Sequence, residues 1–141
     1  MMKQIFLLAS AFLMTSAAAI RADQTMEMFR DYVNFSTYNA GIIRPDQLSR
    51  DIIDSVVLID TRSTEEFEFL TIPGAINIEW RDIFDKIAQI PTDKTVILFC
   101  NTGALSAQAT FGLRTLGYEN VLMILGGFDN LLDSPSYTDI N

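Results

Sequence analysis

The chain has 141 residues, 49% of them hydrophobic and 20% charged, which is enough apolar content for one compact domain and unlike a disordered segment. Ten basic residues stand against eighteen scattered acidic ones, a formal net charge of −8, so nucleic-acid binding is not expected. Histidine is absent, which removes Ser-His-Asp hydrolysis, Cys-His proteolysis and the commonest zinc sites; neither a metal nor a cofactor is expected.

In chain order, Lys3 precedes an uncharged run over residues 4–20 that ends in the small residues 16–19, the layout of a signal peptide over residues 1–22. Its 17 residues, Ala-rich at one end, are short for a span of about 20. Export with cleavage near Asp23 is expected, to a periplasmic or secreted location and without a stable membrane anchor. Losing Lys3 and Arg21 leaves eight basic residues against eighteen acidic ones, a net of −10.

Residues 24–34 place Met28, Phe29 and Tyr32 on one helical face, so 23–39 reads as an N-terminal helical extension that Gly41 closes off. Over residues 40–133 short apolar strands alternate with amphipathic helices, which predicts a parallel α/β sheet. The strands are 42–43, 55–60, 75–78, 95–99 and 121–125. A helix starts near Pro45, and another starts at Ser63 with Glu66 three residues on, a capping-box spacing. Further helices are predicted over 81–89, from Ser106 to about Leu116, and after Phe128, with 134–141 as a C-terminal tail.

Cys100 is the only cysteine and so cannot form an internal disulfide. It is a buried inert thiol, an intermolecular cross-link or a reactive group. It stands one residue past a central apolar strand, where parallel sheets place their ligand crevices. The segment Asn101, Thr102, Gly103, Ala104, Leu105 and Ser106 follows as a loop whose amides, with the positive end of the next helix, favour an anionic sulfur. The alternative is a small hydrophobe at a strand end.

Four stretches bear on that choice. Asp60-Thr61-Arg62-Ser63-Thr64-Glu65-Glu66-Phe67 resembles the D-x-R-x-x-x-E-F/Y signature of the rhodanese family, and Ile72-Pro73-Gly74-Ala75-Ile76-Asn77-Ile78 resembles its I-P-G-A-x-x-I/L signature. The segment from Cys100 to Ser106 resembles the family's C-x-x-G-x-x-S/A active-site loop, and Gly126-Gly127 its closing segment. The resemblance spans about residues 40–132. It implies a three-layer fold, a central parallel sheet of about five strands flanked by helices, and a persulfide on catalytic Cys100 with residues 101–106 as the substrate-binding loop.

By the same resemblance Asp60, Arg62 and Glu66 support that loop, Arg62 and Glu66 as a pair. The implied activity is sulfur transfer from a small sulfane donor (thiosulfate, polysulfide or persulfide) to a thiol, cyanide or protein acceptor. The alternative is a non-catalytic or partner-dependent persulfide carrier. Many members carry a basic residue at the position of Asn101, an arginine at that of Leu105 and a histidine at that of Thr71. Their replacement implies weak recruitment of thiosulfate.

Overall fold

The computed structural model describes residues 2–140, with side chains from Ala18 onward. It divides into two units, Met1–Ser36 and Thr37–Asn141. The first is a single helix, α1 (Met2–Phe35). No break separates the expected leader from the expected extension, because residues 2–35 contain neither glycine nor proline and are rich in good helix formers. Among the described residues no helix is long and apolar enough to cross a membrane.

The second unit carries one five-stranded sheet of β1 (Ile42–Ile43), β2 (Val57–Asp60), β3 (Ile76–Asn77), β4 (Val96–Phe99) and β5 (Val121–Ile124). The strands run parallel in the order β1-β5-β4-β2-β3, with β4 at the centre. All four residues of β4 are buried, as a strand covered on both faces requires. Ile97 and Phe99 enter one apolar cluster with Leu58, Ile124 and Phe128; Val96 and Leu98 enter the other with Ile59, Ala109 and Leu113. These are the two faces of the expected three-layer fold.

The helices of this unit are α2 (Arg50–Ser55), α3 (Thr64–Phe69), α4 (Ala104–Thr115), α5 (Gly127–Leu132) and α6 (Pro135–Ile140). Three expectations are corrected. Residues 81–89 form no continuous helix but two 3-10 turns, Trp80–Asp82 and Ile87–Gln89, which still bury Ile83. The helix expected from Ser106 begins two residues earlier at Ala104, because Gly103 at φ 87° turns the chain into it. The expected tail is helix α6, whose Ile140 is fully buried in the cluster around Phe128.

Candidate active site

The sheet register brings the site together. Asp60 pairs with Phe99, and the Thr61 amide donates to the Phe99 carbonyl at 2.8 Å. The turn after β2 therefore lies beside the segment after β4, although the two are about forty residues apart in sequence.

Cys100 leaves β4 as a buried residue, and its Sγ is 3.6 Å from Ser106 Oγ. Ser106 is itself buried and donates to the Gly103 carbonyl at 3.1 Å. The loop is pinned from the side of α5: the Phe128 amide donates to the Cys100 carbonyl at 2.8 Å and the Asp129 amide to the Asn101 carbonyl at 2.9 Å. This approach is possible because residue 127 is glycine. A Cβ there would collide with both carbonyls and with the Gly103 amide.

With the loop carbonyls so occupied, the amides of residues 101–106 have no protein acceptor among the described residues. Those of residues 104–106 are the open first turn of α4. The sequence predicts amides gathered around the sulfur, yet the hydrogen-bonding neighbour of Sγ is the Ser106 hydroxyl.

The three supporting residues assemble differently from the expectation. Arg62 pairs with Asp60, not Glu66: Nη2 lies 2.6 Å from Oδ2 and Nε 2.9 Å from Oδ1, a two-pronged contact between buried groups. Nη2 also donates to the Leu70 carbonyl at 2.6 Å, and the guanidinium lies 4.6 Å from the centre of the Phe128 ring. Burial opposes the charge on Arg62, but the Asp60 hydrogen bond and charge outweigh it, with help from Glu66 and Asp129. Its pKa is therefore held above the ordinary value.

Asn101 connects this pair to Glu66. Its Oδ1 accepts from Arg62 Nη1 at 3.2 Å, and its Nδ2 donates to Glu66 Oε1 at 2.6 Å. Glu66 closes the expected capping box with Ser63 at the start of α3. The Asn101 hydrogen bond, followed by that of Ser63, holds the Glu66 carboxyl below its ordinary value.

A cavity of about 340 Å³ opens over Cys100, lined by Arg62, Glu66, Asn101, Thr102 and Leu105 together with Thr61, Ser63, Glu79 and Arg81. Of the residues expected at the site, Asp60, Gly103, Ala104 and Ser106 stand behind this lining and shape it from within. Besides Thr71, marked in the sequence only as the place of a family histidine, three contributors were not singled out for the site: Asn77, Glu79 and Arg81. Thr71 donates to Asp60 Oδ2 at 2.8 Å, Asn77 donates to the Asp60 and Arg62 carbonyls, and Glu79 and Arg81 reach the cavity from the 3-10 turn after β3.

A buried cysteine at the carboxyl end of the central strand, held by a glycine-shaped loop into a helix, defines a parallel α/β domain of the cysteine-loop class. The chain belongs to the rhodanese-like domain family, whose profile matches residues 44–134. It is 34% identical over 87 residues to a sulfurtransferase of Allochromatium vinosum, covering 60% of this chain and 81% of that one. The human single-domain sulfurtransferase superposes with a TM-score of 0.58 at 26% identity, over 69% of this chain and 99% of that one.

Longer proteins carry a similar segment. A tRNA uridine(34) hydroxylase of Legionella pneumophila is 31% identical over 106 residues, 70% of this chain and 42% of that protein. An NAD-dependent persulfide reductase from A. fulgidus matches with a TM-score of 0.51 at 27% identity, over 62% of this chain and 15% of that one.

Proposed function

We propose that this protein transfers sulfane sulfur through a persulfide on Cys100, from thiosulfate, polysulfide or another persulfide to a thiol or cyanide. The observation that carries this reading is a buried cysteine under a 340 Å³ cavity, followed by six amides without protein acceptors among the described residues.

With thiosulfate as donor, the Cys100 thiolate attacks the outer sulfur. A bond forms between the two sulfurs as the donor's S–S bond breaks, and the electron pair leaves on sulfite. The transferred sulfur carries the negative charge one bond beyond Sγ, where loop amides and the start of α4 stabilise an anion without any cationic side chain. An acceptor then attacks that outer sulfur, the Cys100–sulfur bond breaks, and the thiolate returns with thiocyanate or a new persulfide as product. Sulfite and thiol redox states balance without an external oxidant.

Incubation with a sulfane donor should add the mass of one sulfur atom, and cyanide should remove it. Cys100→Ser should abolish both the gain and turnover while the far-ultraviolet spectrum stays unchanged. A Cys100 that resists alkylation at neutral pH and gains no sulfur from any donor would refute the proposal. Sulfur that loads but leaves only when a protein partner is added would support the carrier reading, which the half-exposed Leu105 at the cavity mouth favours.

The proposal extends to location. The layout of residues 1–22 supports export to the periplasm or medium, with a mature start between Ala19 and Asp23. N-terminal sequencing of the protein from its host checks this; a full-length, membrane-retained product would exclude cleavage.

A further inference from the structure

The cavity has two cations in its lining, and they are not equivalent. Arg62 is buried and committed: its three nitrogens contact Asp60, Asn101 and the Leu70 carbonyl, and Phe128 covers one face. Four of its five N–H groups are so engaged, and only one on Nη1 has no acceptor among the described residues. Arg81 has a side chain 75% exposed and a single ion-pair partner, Glu79, at 2.5 Å. Among the described residues nothing else accepts from its remaining N–H groups.

The surroundings make this cation consequential. The chain is strongly acidic, and Glu66 and Glu79 both face the cavity, so an anionic donor meets repulsion unless a local positive charge offsets it. Glu66 is already engaged by Asn101 and Ser63. The loop itself presents Asn101, Thr102 and Leu105, none of them charged. A guanidinium offers several donors in a planar fork suited to an oxyanion.

We propose that Arg81 is the residue that recognises the oxyanion head of a sulfonate-bearing sulfane donor such as thiosulfate, and that Glu79 competes with the donor for it. The proposal rests on the persulfide reading for its catalytic meaning, but its binding part stands apart from it. Recognition here comes from the turn after β3 and not from the cysteine loop. The donor's sulfonate meets Arg81 while its outer sulfur faces Cys100. No bond is made or broken at Arg81.

Two measurements test this. In sulfur transfer to cyanide, the ratio of kcat/KM for thiosulfate to that for an alkyl persulfide, which has no oxyanion head, should fall about fivefold in Arg81→Gln, chiefly through KM, as expected for one partly exposed charge pair. Arg81→Lys should recover part of the ratio, and Glu79→Gln should raise it. The salt sensitivity of the thiosulfate KM should flatten in Arg81→Gln.

Separately, thiosulfate binding to Cys100→Ser protein, measured by calorimetry, should weaken by a similar factor when Arg81→Gln is added. Unchanged donor ratio, salt dependence and binding in the Arg81→Gln proteins would overturn the inference. If binding weakens as expected but wild-type Cys100 takes up no sulfur, the persulfide reading falls and the anion site remains.

Discussion

Asn101 uses both ends of its amide, accepting from Arg62 and donating to Glu66, and so ties the cysteine loop to the turn after β2. Asn101→Ala should therefore cost about 1 kcal/mol, the usual worth of a partly buried hydrogen bond, and should loosen the loop enough to slow sulfur uptake. A pH dependence accompanies it. The Glu66 carboxyl is held below its ordinary value of 4.5, first by Asn101 and then by Ser63. A depressed folded-state value means that the ionised form stabilises the fold; that contribution is fully present above 4.5 and disappears as pH falls through the lowered value. The stability gap between wild type and Asn101→Ala should narrow as pH falls below 4.5 and through the lowered Glu66 value, which urea titrations at each pH would reveal.

At the scale of elements, the site is the meeting of two helix starts. α4 begins immediately after the cysteine loop, and the first amides of α5 take the carbonyls of Cys100 and Asn101. Gly127 is the contact point, at φ 68° with loop backbone packed where a Cβ would be. Neither the left-handed backbone nor the space admits a side chain, and the obstructing atoms are main chain that cannot rotate away. Gly127→Ala should destabilise by about 3 kcal/mol and lower persulfide formation further than that stability loss explains, because it displaces the carbonyls that orient the loop. Thermal unfolding and single-turnover sulfur uptake on the same samples separate the two effects. Gly103 poses a weaker case, since its nearest neighbour is the flexible end of Met123.

For the whole molecule, α6 completes the apolar cluster on the α5 side of the sheet. Ile140 is fully buried there, and Tyr137 meets the Phe128 ring edge-on at 6.1 Å. Phe128 in turn covers Arg62, so residues near the end of the chain support the floor of the cavity. Ile140→Ala should cost about 2–4 kcal/mol, as for other buried aliphatic truncations, and should lower sulfur transfer at temperatures where wild type is fully folded. A loss confined to stability, with activity intact well below the melting point, would show that this support is not transmitted to the site.

Local chemistry in the chain determined a large part of this protein. Runs of β-branched and apolar residues specify the strands around 57–60, 96–99 and 121–124, because a strand buried on both faces needs no polar alternation. Ser63 with Glu66 specifies a helix start, since each satisfies the other's backbone or side-chain group. The position of Cys100 past the central strand follows from the same alternation of elements. Tertiary structure alone decided the partnerships. Arg62 and Glu66 are one helical turn apart in sequence, yet the parallel register sets Asp60 beside Phe99 and inserts Asn101 between the two. Residues 134–141 read as a tail because burial of Ile140 depends on a surface formed by α5 and the sheet. Arg81 became a cavity residue only when the turn after β3 folded over the mouth, a placement set by long-range packing, which leaves no periodic trace in the sequence.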